Sequence, residues 1–188
     1  MDIILASASL RRQELLNRIT SDFKTVVSNF NEESVRYNGN AKDYVVELSR
    51  GKALGVSKEV DSNSIIIGAD TIVFFQGTIL GKPKSDEDAF FMLSALSGSW
   101  HEVYTGITIF NNKENRYLSD YVCTRVKFSK LSDTEIREYI KSGDHKDKAG
   151  SYGIQGAAAL FVEEINGCYY NVVGLPLNKL SRMLKSFV

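Results

Sequence analysis

Cations, carboxylates, hydroxyls and one glycine-rich segment are the features of this chain whose types and spacing could do chemistry. Ser7-Ala8-Ser9-Leu10-Arg11-Arg12 follows a short apolar run, Ile3-Ile4-Leu5, and precedes Leu15, Leu16 and Ile19 at helical spacing. That pattern reads as strand, turn and helix. Arg11 and Arg12 then occupy a helix's first turn, where unpaired N–H groups already carry partial positive charge and acids are favoured. A bound phosphate would supply the missing negative charge, with the arginine forks as bidentate donors and Ser7 and Ser9 adding hydroxyls. A solvated arginine pair on a surface helix fits this stretch about equally well.

Lys52 falls inside the apolar stripe of a helix that also carries Val45, Leu48 and Val56, so it must snorkel or be paired. Asp70-Thr71 stands just beyond Ser64 to Ala69, a nearly continuous apolar run of the kind buried on both faces of a sheet. Lys82 sits between Gly81, which permits close backbone approach or positive φ, and Pro83, which fixes the chain beyond it. Glu32 and Glu33 lie in a polar loop, as loop charges or metal ligands. Asp147-Lys148-Ala149-Gly150-Ser151-Tyr152-Gly153-Ile154-Gln155-Gly156 packs three glycines into seven residues and carries a glutamine, which suits a loop that approaches a ligand or a multi-turn connector.

Cations that hold phosphates, with carboxylates for a hard divalent metal, are the parts needed to attack a polyphosphate with water. The cations would hold the phosphates in line while a carboxylate orients or deprotonates the water. Neither G-x-x-x-x-G-K-[ST] nor G-x-G-x-x-G after a strand occurs, so this is neither a P-loop nor a dinucleotide-binding pattern. No nucleophile stands beside a base, and His101 reads as structural.

The elements that must position these residues alternate strand and helix. Phe23 to Val27 reads as a strand, Lys42 to Val60 as a helix, Ser64 to Ala69 and Ile72 to Phe75 as two strands, and Ser85 with Asp88 as a capping box that opens a helix. Strands at His101 to Phe110 and about Tyr117 to Phe128 flank a hairpin connection. Ser132 with Glu135 opens another capped helix that stops at Gly143. Strands Ala159 to Ile165 and Tyr169 to Val173 precede a last helix with Pro176 in its first turn. The expectation is an α/β chain of mixed α+β character, forming a single domain over residues 1–188.

The 188 residues carry 23 Lys+Arg against 23 Asp+Glu. This balance argues against a nucleic-acid polymer as the main partner and makes any cationic site local. Cys123 and Cys168 lack metal or redox spacing and read as buried thiols. No signal-peptide pattern or run of about 18 apolar residues occurs, so neither membrane insertion nor export is expected and a cytoplasmic location follows.

Leu5 to Leu16, Gly68-Ala69-Asp70-Thr71, Leu80-Gly81-Lys82-Pro83, Leu96-Ser97-Gly98, Asp147 to Gly156 and Asn171-Val172-Val173-Gly174-Leu175-Pro176 together resemble the Maf family, in order, from about residue 3 to residue 180. The resemblance implies a nucleoside triphosphate pyrophosphatase that cleaves between the α- and β-phosphates, using a divalent cation, Mg²⁺ or Mn²⁺. It also implies a bilobed fold similar to inosine triphosphatase, with a central mixed sheet, flanking helices, an active site in the cleft between lobes, and a homodimer.

By position, Asp70 matches the family's proposed proton acceptor; as a metal ligand it would instead leave the metal to acidify the water and would not be the base. Ser7, Arg12, Lys52 and Lys82 match phosphate-contacting positions, with Lys52 and Lys82 taken as catalytic beside Asp70. Glu32 and Asp70 match the metal-holding acids. Arg11, Thr71 and Gln155 match the positions that separate subgroups, and here they resemble the subgroup acting on dTTP and UTP. Gln155 could read the carbonyl–imide–carbonyl edge shared by thymine and uracil with one donor and one acceptor. Leu10 replaces the family's usual proline, which removes a pre-set φ but no chemical group. Asp144 stands where glutamate is common. Rival readings are the same reaction on 7-methyl-GTP or another modified nucleotide, a phosphatase releasing inorganic phosphate, and a non-catalytic nucleotide-binding regulator of cell division.

Overall fold

The computed structural model describes residues 1–187. One seven-stranded sheet carries the chain in the order β2-β1-β3-β5-β6-β7, with β4 paired to β3 off that path. Strand β1 (Asp2–Leu5) runs parallel to β2 (Lys24–Thr25) and to β3 (Ser64–Phe75), with Ile4 opposite Ile66. β4 (Thr78–Leu80) folds back antiparallel on the end of β3, and β7 (Val162–Asn166) pairs antiparallel with β6 (Arg116–Phe128). β5 (Trp100–Asn111) lies between β3 and β6. The sheet is therefore mixed, and helices accompany it.

Two compact units divide the chain: residues 1–71, 105–122 and 174–188 form the first, and residues 72–104 with 123–173 form the second. In the first unit α1 (Leu10–Leu16) and α2 (Ala41–Val56) pack their apolar residues toward the strands. Ile4, Ala6, Ala53, Val56, Ile66 and Phe110 form one buried cluster. A close approach makes this possible. A Cβ at Gly68 would stand 2.2 Å from the Ser49 carbonyl oxygen, and one at Gly106 would stand 2.2 Å from that of Val45. Glycines in β3 and β5 thus let the backbone of α2 lie almost on the sheet. α6 (Leu177–Leu184) completes this unit and buries Leu180 and Met183.

In the second unit α3 (Asp86–Leu96) and α4 (Asp133–Lys141) pack together. Ser132 and Glu135 close the expected capping box reciprocally. Ser85 caps α3 through the Asp88 N–H, whereas the Asp88 carboxylate accepts from the Lys84 N–H instead of closing the box. His101 is buried beside Phe128 and Tyr152, with its Nε2 2.7 Å from the Tyr152 hydroxyl. That is the structural role expected of it.

Several boundaries differ from the sequence reading. Strand and helix expected at Phe23 to Val27 and Lys42 to Val60 are shorter, at Lys24–Thr25 and Ala41–Val56. The two strands expected around Asp70 are one continuous strand, so Asp70 lies within β3 rather than beyond a strand end. Ala157–Phe161 is a 3₁₀ turn before β7. Tyr169–Val173, expected as a strand, is a short helix, α5. Tertiary bonds override its β-prone composition: buried Asn171 donates to the Val103 carbonyl at 2.8 Å and to the Thr124 hydroxyl at 3.0 Å, which in turn holds the Cys168 carbonyl. Neither cysteine forms a disulfide, and both are half-buried rather than core thiols.

Candidate active site

Asp70 carries the first unit's site. It sits in the middle of β3 and is 8% exposed, a burial at which a carboxylate needs a partner. Its partner is the Lys52 ammonium, which is hydrogen-bonded to Asp70 and also lies 3.0 Å from Glu32. The lysine that breaks the apolar stripe of α2 is thus paired at its tip rather than snorkelling to water. Glu32 arrives on a 3₁₀ turn, Glu32–Ser34, whose amino end is capped by the Asn31 side chain accepting from the Glu33 N–H. Its side chain is 55% exposed, so one carboxylate of the trio is buried and the other open to solvent.

Arg12 organises the strand-to-helix turn. Ser9 caps α1 by accepting from the Arg12 N–H, and no acid occupies the helix's first turn. The Arg12 guanidinium donates through Nε to the Gly174 carbonyl at 2.9 Å, through Nη2 to the Thr71 hydroxyl at 3.0 Å and through Nη1 to the Ser7 hydroxyl at 3.4 Å. Thr71 continues the chain of bonds to Thr105 at 2.9 Å. Burial pushes the guanidinium's pKa down, with Arg11 acting in the same direction, while the charges of Asp70 and Glu32 act in the opposite one. Arg12 uses one donor from each of its three nitrogens within the protein, and its fork retains two further N–H groups for an anion. Ser7, Arg12 and Thr71 therefore form a single network, and Arg11 is half-buried beside it.

Tyr44 belongs to this neighbourhood although no motif marks it. It lies on α2 two turns before Lys52 and packs edge-to-face on Tyr37, with ring centroids 5.6 Å apart. Its phenol is pushed to higher pKa by burial first and then by the charges of Asp70 and Glu32. Helical spacing from Lys52 was the signal available for it, since residues eight apart share a face.

Lys82 and Gln155 belong to the second unit, and both are exposed. Gly81 has open space where a Cβ would stand, so close approach does not explain it. Its carbonyl instead accepts from the Gly150 N–H at 3.0 Å, which ties the Lys82 segment to the glycine-rich loop. Gly150 itself requires glycine, because its φ is 65° and a Cβ there would meet Val73 at 2.9 Å. Gln155 occupies a turn closed by the Gly156 N–H donating to the Gly153 carbonyl at 3.0 Å, with Ile154 buried as its anchor. Lys148, a candidate cation in the sequence, is already paired with Asp144 at 3.0 Å.

The structure thus joins Asp70, Lys52 and Glu32 in one ion cluster, and Ser7, Arg12 and Thr71 in one hydrogen-bond network, within the first unit. Lys82 and Gln155 share a loop system in the second. Two oxygen donors, Asp70 and Glu32, fit a small hard cation that takes one or two protein carboxylates and fills its remaining positions with substrate phosphates and water. Among the described residues no group of three or more His, Cys, Asp or Glu is arranged to hold a metal by itself.

Comparison with known proteins bears on this arrangement. The chain is 58% identical over 185 residues to the dTTP/UTP pyrophosphatase of Clostridium botulinum (strain Kyoto / Type A2), covering 97% of this chain and 95% of that one. It is 55% identical to the dTTP/UTP pyrophosphatase of Clostridium tetani, covering 98% and 97%, and 53% identical to that of Clostridium perfringens (strain SM101 / Type A), covering 100% and 97%. The solved structure of the Staphylococcus aureus Ham1 protein superposes over the full length of both chains with a TM-score of 0.55 at 14% identity, a likeness of fold. A family model described as Maf-like protein matches residues 2–187, and the chain belongs to the Maf family.

Proposed function

We propose that this chain is a dTTP and UTP pyrophosphatase, hydrolysing the α–β anhydride to the nucleoside monophosphate and pyrophosphate. The observation that carries the reading is the Lys52 ammonium held between Asp70 and Glu32, in a chain more than half identical, end to end, to dTTP/UTP pyrophosphatases. A protein that only bound nucleotide would have no need of a buried acid beside its phosphate-binding cation.

In this reading Asp70 accepts the proton of the attacking water, and Lys52 bridges it to the substrate's phosphates. The two spare Arg12 N–H groups hold a phosphate oxygen in the loop that Ser7 and Thr71 brace. Lys82 neutralises charge on the leaving pyrophosphate. Glu32 would hold a divalent cation, Mg²⁺ or Mn²⁺, which when bound would neutralise phosphate oxygens; with Asp70 as its second ligand the cation would acidify the water in place of Asp70 acting as base. Arg11, Thr71 and Gln155 select the base. Thr71 does so through Arg12, since its hydroxyl already accepts from that guanidinium. The resemblance extends the reading to a homodimer, which the mass in solution by light scattering tests.

The decisive experiment incubates the protein with a panel of canonical and methylated nucleoside triphosphates and Mg²⁺ and identifies the products. Pyrophosphate from dTTP and UTP, lost in Asp70→Asn, is the expected result. Inorganic phosphate as the product, a preference for 7-methyl-GTP, or wild-type rates in Asp70→Asn would overturn the reading.

A further inference from the structure

The turn that presents Gln155 rests on an ion pair. Asp144 and Lys148 stand four positions apart in a run of turns, and the Lys148 ammonium lies 3.0 Å from Asp144 Oδ1 and also donates to the Asp144 carbonyl oxygen. Both side chains are mostly withdrawn from water, at 27% and 15% exposure. Each member of the pair presses on one of the glycines that close the Gln155 turn. A Cβ at Gly156 would stand 2.1 Å from Asp144 Oδ2, and a Cβ at Gly153 would stand 2.6 Å from Lys148 Cε. Those same two glycines exchange the bond that closes the turn, Gly156 N–H to the Gly153 carbonyl at 3.0 Å.

The environment around the pair is built rather than incidental. Asp144 Oδ2 and the Tyr139 hydroxyl are both buried, and they face one another, with the hydroxyl also directed to the Gly153 backbone. Burial raises the Tyr139 phenol's pKa, and the charge of Asp144 raises it further. A carboxylate so placed would be costly if its only role were to fill space. Tyr139 is fixed in turn by its edge-to-face contact with Phe161, ring centroids 5.1 Å apart.

We propose that the Asp144–Lys148 ion pair is the positioning device of the base-selecting turn, holding Gly153 to Gly156 in the one shape that presents Gln155 to a pyrimidine. Neither residue touches substrate in this proposal, and both act through Gln155. The inference rests on the reading of the chain as a dTTP and UTP pyrophosphatase.

The test compares wild type, Asp144→Asn, Asp144→Glu, Lys148→Met and Gln155→Ala, with kcat and KM measured for dTTP and dCTP and thermal unfolding recorded for each. In folded Asp144→Asn and Lys148→Met, the preference for dTTP over dCTP should narrow about tenfold, as in Gln155→Ala, through KM more than kcat. Asp144→Glu should restore it. Combining Asp144→Asn with Gln155→Ala should narrow it no further, because both changes remove one interaction. Amide exchange at Gly156 should accelerate in Asp144→Asn, a readout independent of turnover.

A wild-type preference in folded Lys148→Met and Asp144→Asn, with that of Gln155→Ala narrowed, would overturn the positioning role and leave the proposed function standing. An unchanged preference in Gln155→Ala would overturn it by removing the residue positioned. Wild type that releases no pyrophosphate from dTTP would instead end the functional reading itself. Should Asp144→Asn fail to fold, Lys148→Met decides alone.

Discussion

The Lys52 ammonium bonds to Asp70 on β3 while holding Glu32 at 3.0 Å, so one cation on α2 neutralises a buried acid and an open one. Removing the cation alone leaves Asp70 charged in a site 8% exposed. Lys52→Met should therefore cost about 3 kcal/mol of stability, as when one partner of a buried pair is lost. The double variant Lys52→Met/Asp70→Asn should recover more than half of that loss. Both variants should be without pyrophosphatase activity. Urea unfolding and pyrophosphate release, measured on the same samples, separate the two effects. A double variant no more stable than the single one would show that the pair is not what stabilises Asp70.

Glu32 is the accessible half of the carboxylate pair, so its loss should weaken the metal site without exposing a buried charge. Glu32→Gln is expected to raise the Mg²⁺ concentration needed for half-maximal rate about tenfold, with kcat largely recovered at saturating Mg²⁺. A chelator should abolish wild-type turnover. Mg²⁺ titrations of the initial rate check both. An unchanged Mg²⁺ requirement in Glu32→Gln would remove Glu32 from the metal site and leave it a partner of Lys52 only.

Arg11 and Arg12 are neighbours with different commitments. Arg12 reaches Gly174, Thr71 and Ser7 with three nitrogens, a fork that an ammonium cannot reproduce. Arg12→Lys should accordingly fail much as Arg12→Ala does, losing about 2 kcal/mol of stability and turnover of every triphosphate. Arg11→Ala should change stability by less than about 0.5 kcal/mol and shift base preference. Thermal unfolding with kcat/KM for dTTP, UTP and dCTP tests the contrast, and an Arg12→Lys of wild-type rate would contradict it.

Polarity out of place was the legible part of the site. A lysine inside an apolar stripe breaks a local rule and an acid just beyond an apolar run stands out, and the structure shows them paired to one another. Capping residues Ser85 and Ser132 were equally readable, since side-chain acceptors before a periodic apolar run have a local cause. Other features had no local cause. The strand expected at Tyr169 to Val173 is a helix because Asn171 bonds to Val103 and Thr124, residues 68 and 47 positions away. Nothing local marks Gly68 and Gly106, although their missing Cβ atoms are what admit the backbone of α2. The commitment of Arg12 to Gly174 spans 162 positions, and no spacing rule reaches so far. The resemblance to the Maf family supplied the roles, while the geometry showed which of those residues hold one another in place.

His101 gives the second unit an acid-sensitive point. It is 2% exposed, its Nε2 is bonded to the Tyr152 hydroxyl and its Nδ1 is buried with no partner among the described residues. Burial lowers its pKa from 6.5 to about 4. Above pH 6.5 the ring is neutral in both folded and unfolded chains, and it contributes no pH dependence. As the pH falls from 6.5 toward 4, the unfolded chain takes up a proton that the folded chain refuses, so acidification favours unfolding. Below about 4 both states are protonated and the loss levels off. The shift corresponds to about 3 kcal/mol of stability lost across that window. His101→Gln, which keeps a group able to bond Tyr152 but cannot titrate, should lack this part of the slope. Unfolding free energies from urea titrations at pH 7, 6, 5 and 4 in the two proteins measure the difference directly. If the gap between wild type and His101→Gln is the same at pH 7 and pH 4, the ring is not buried in its neutral form.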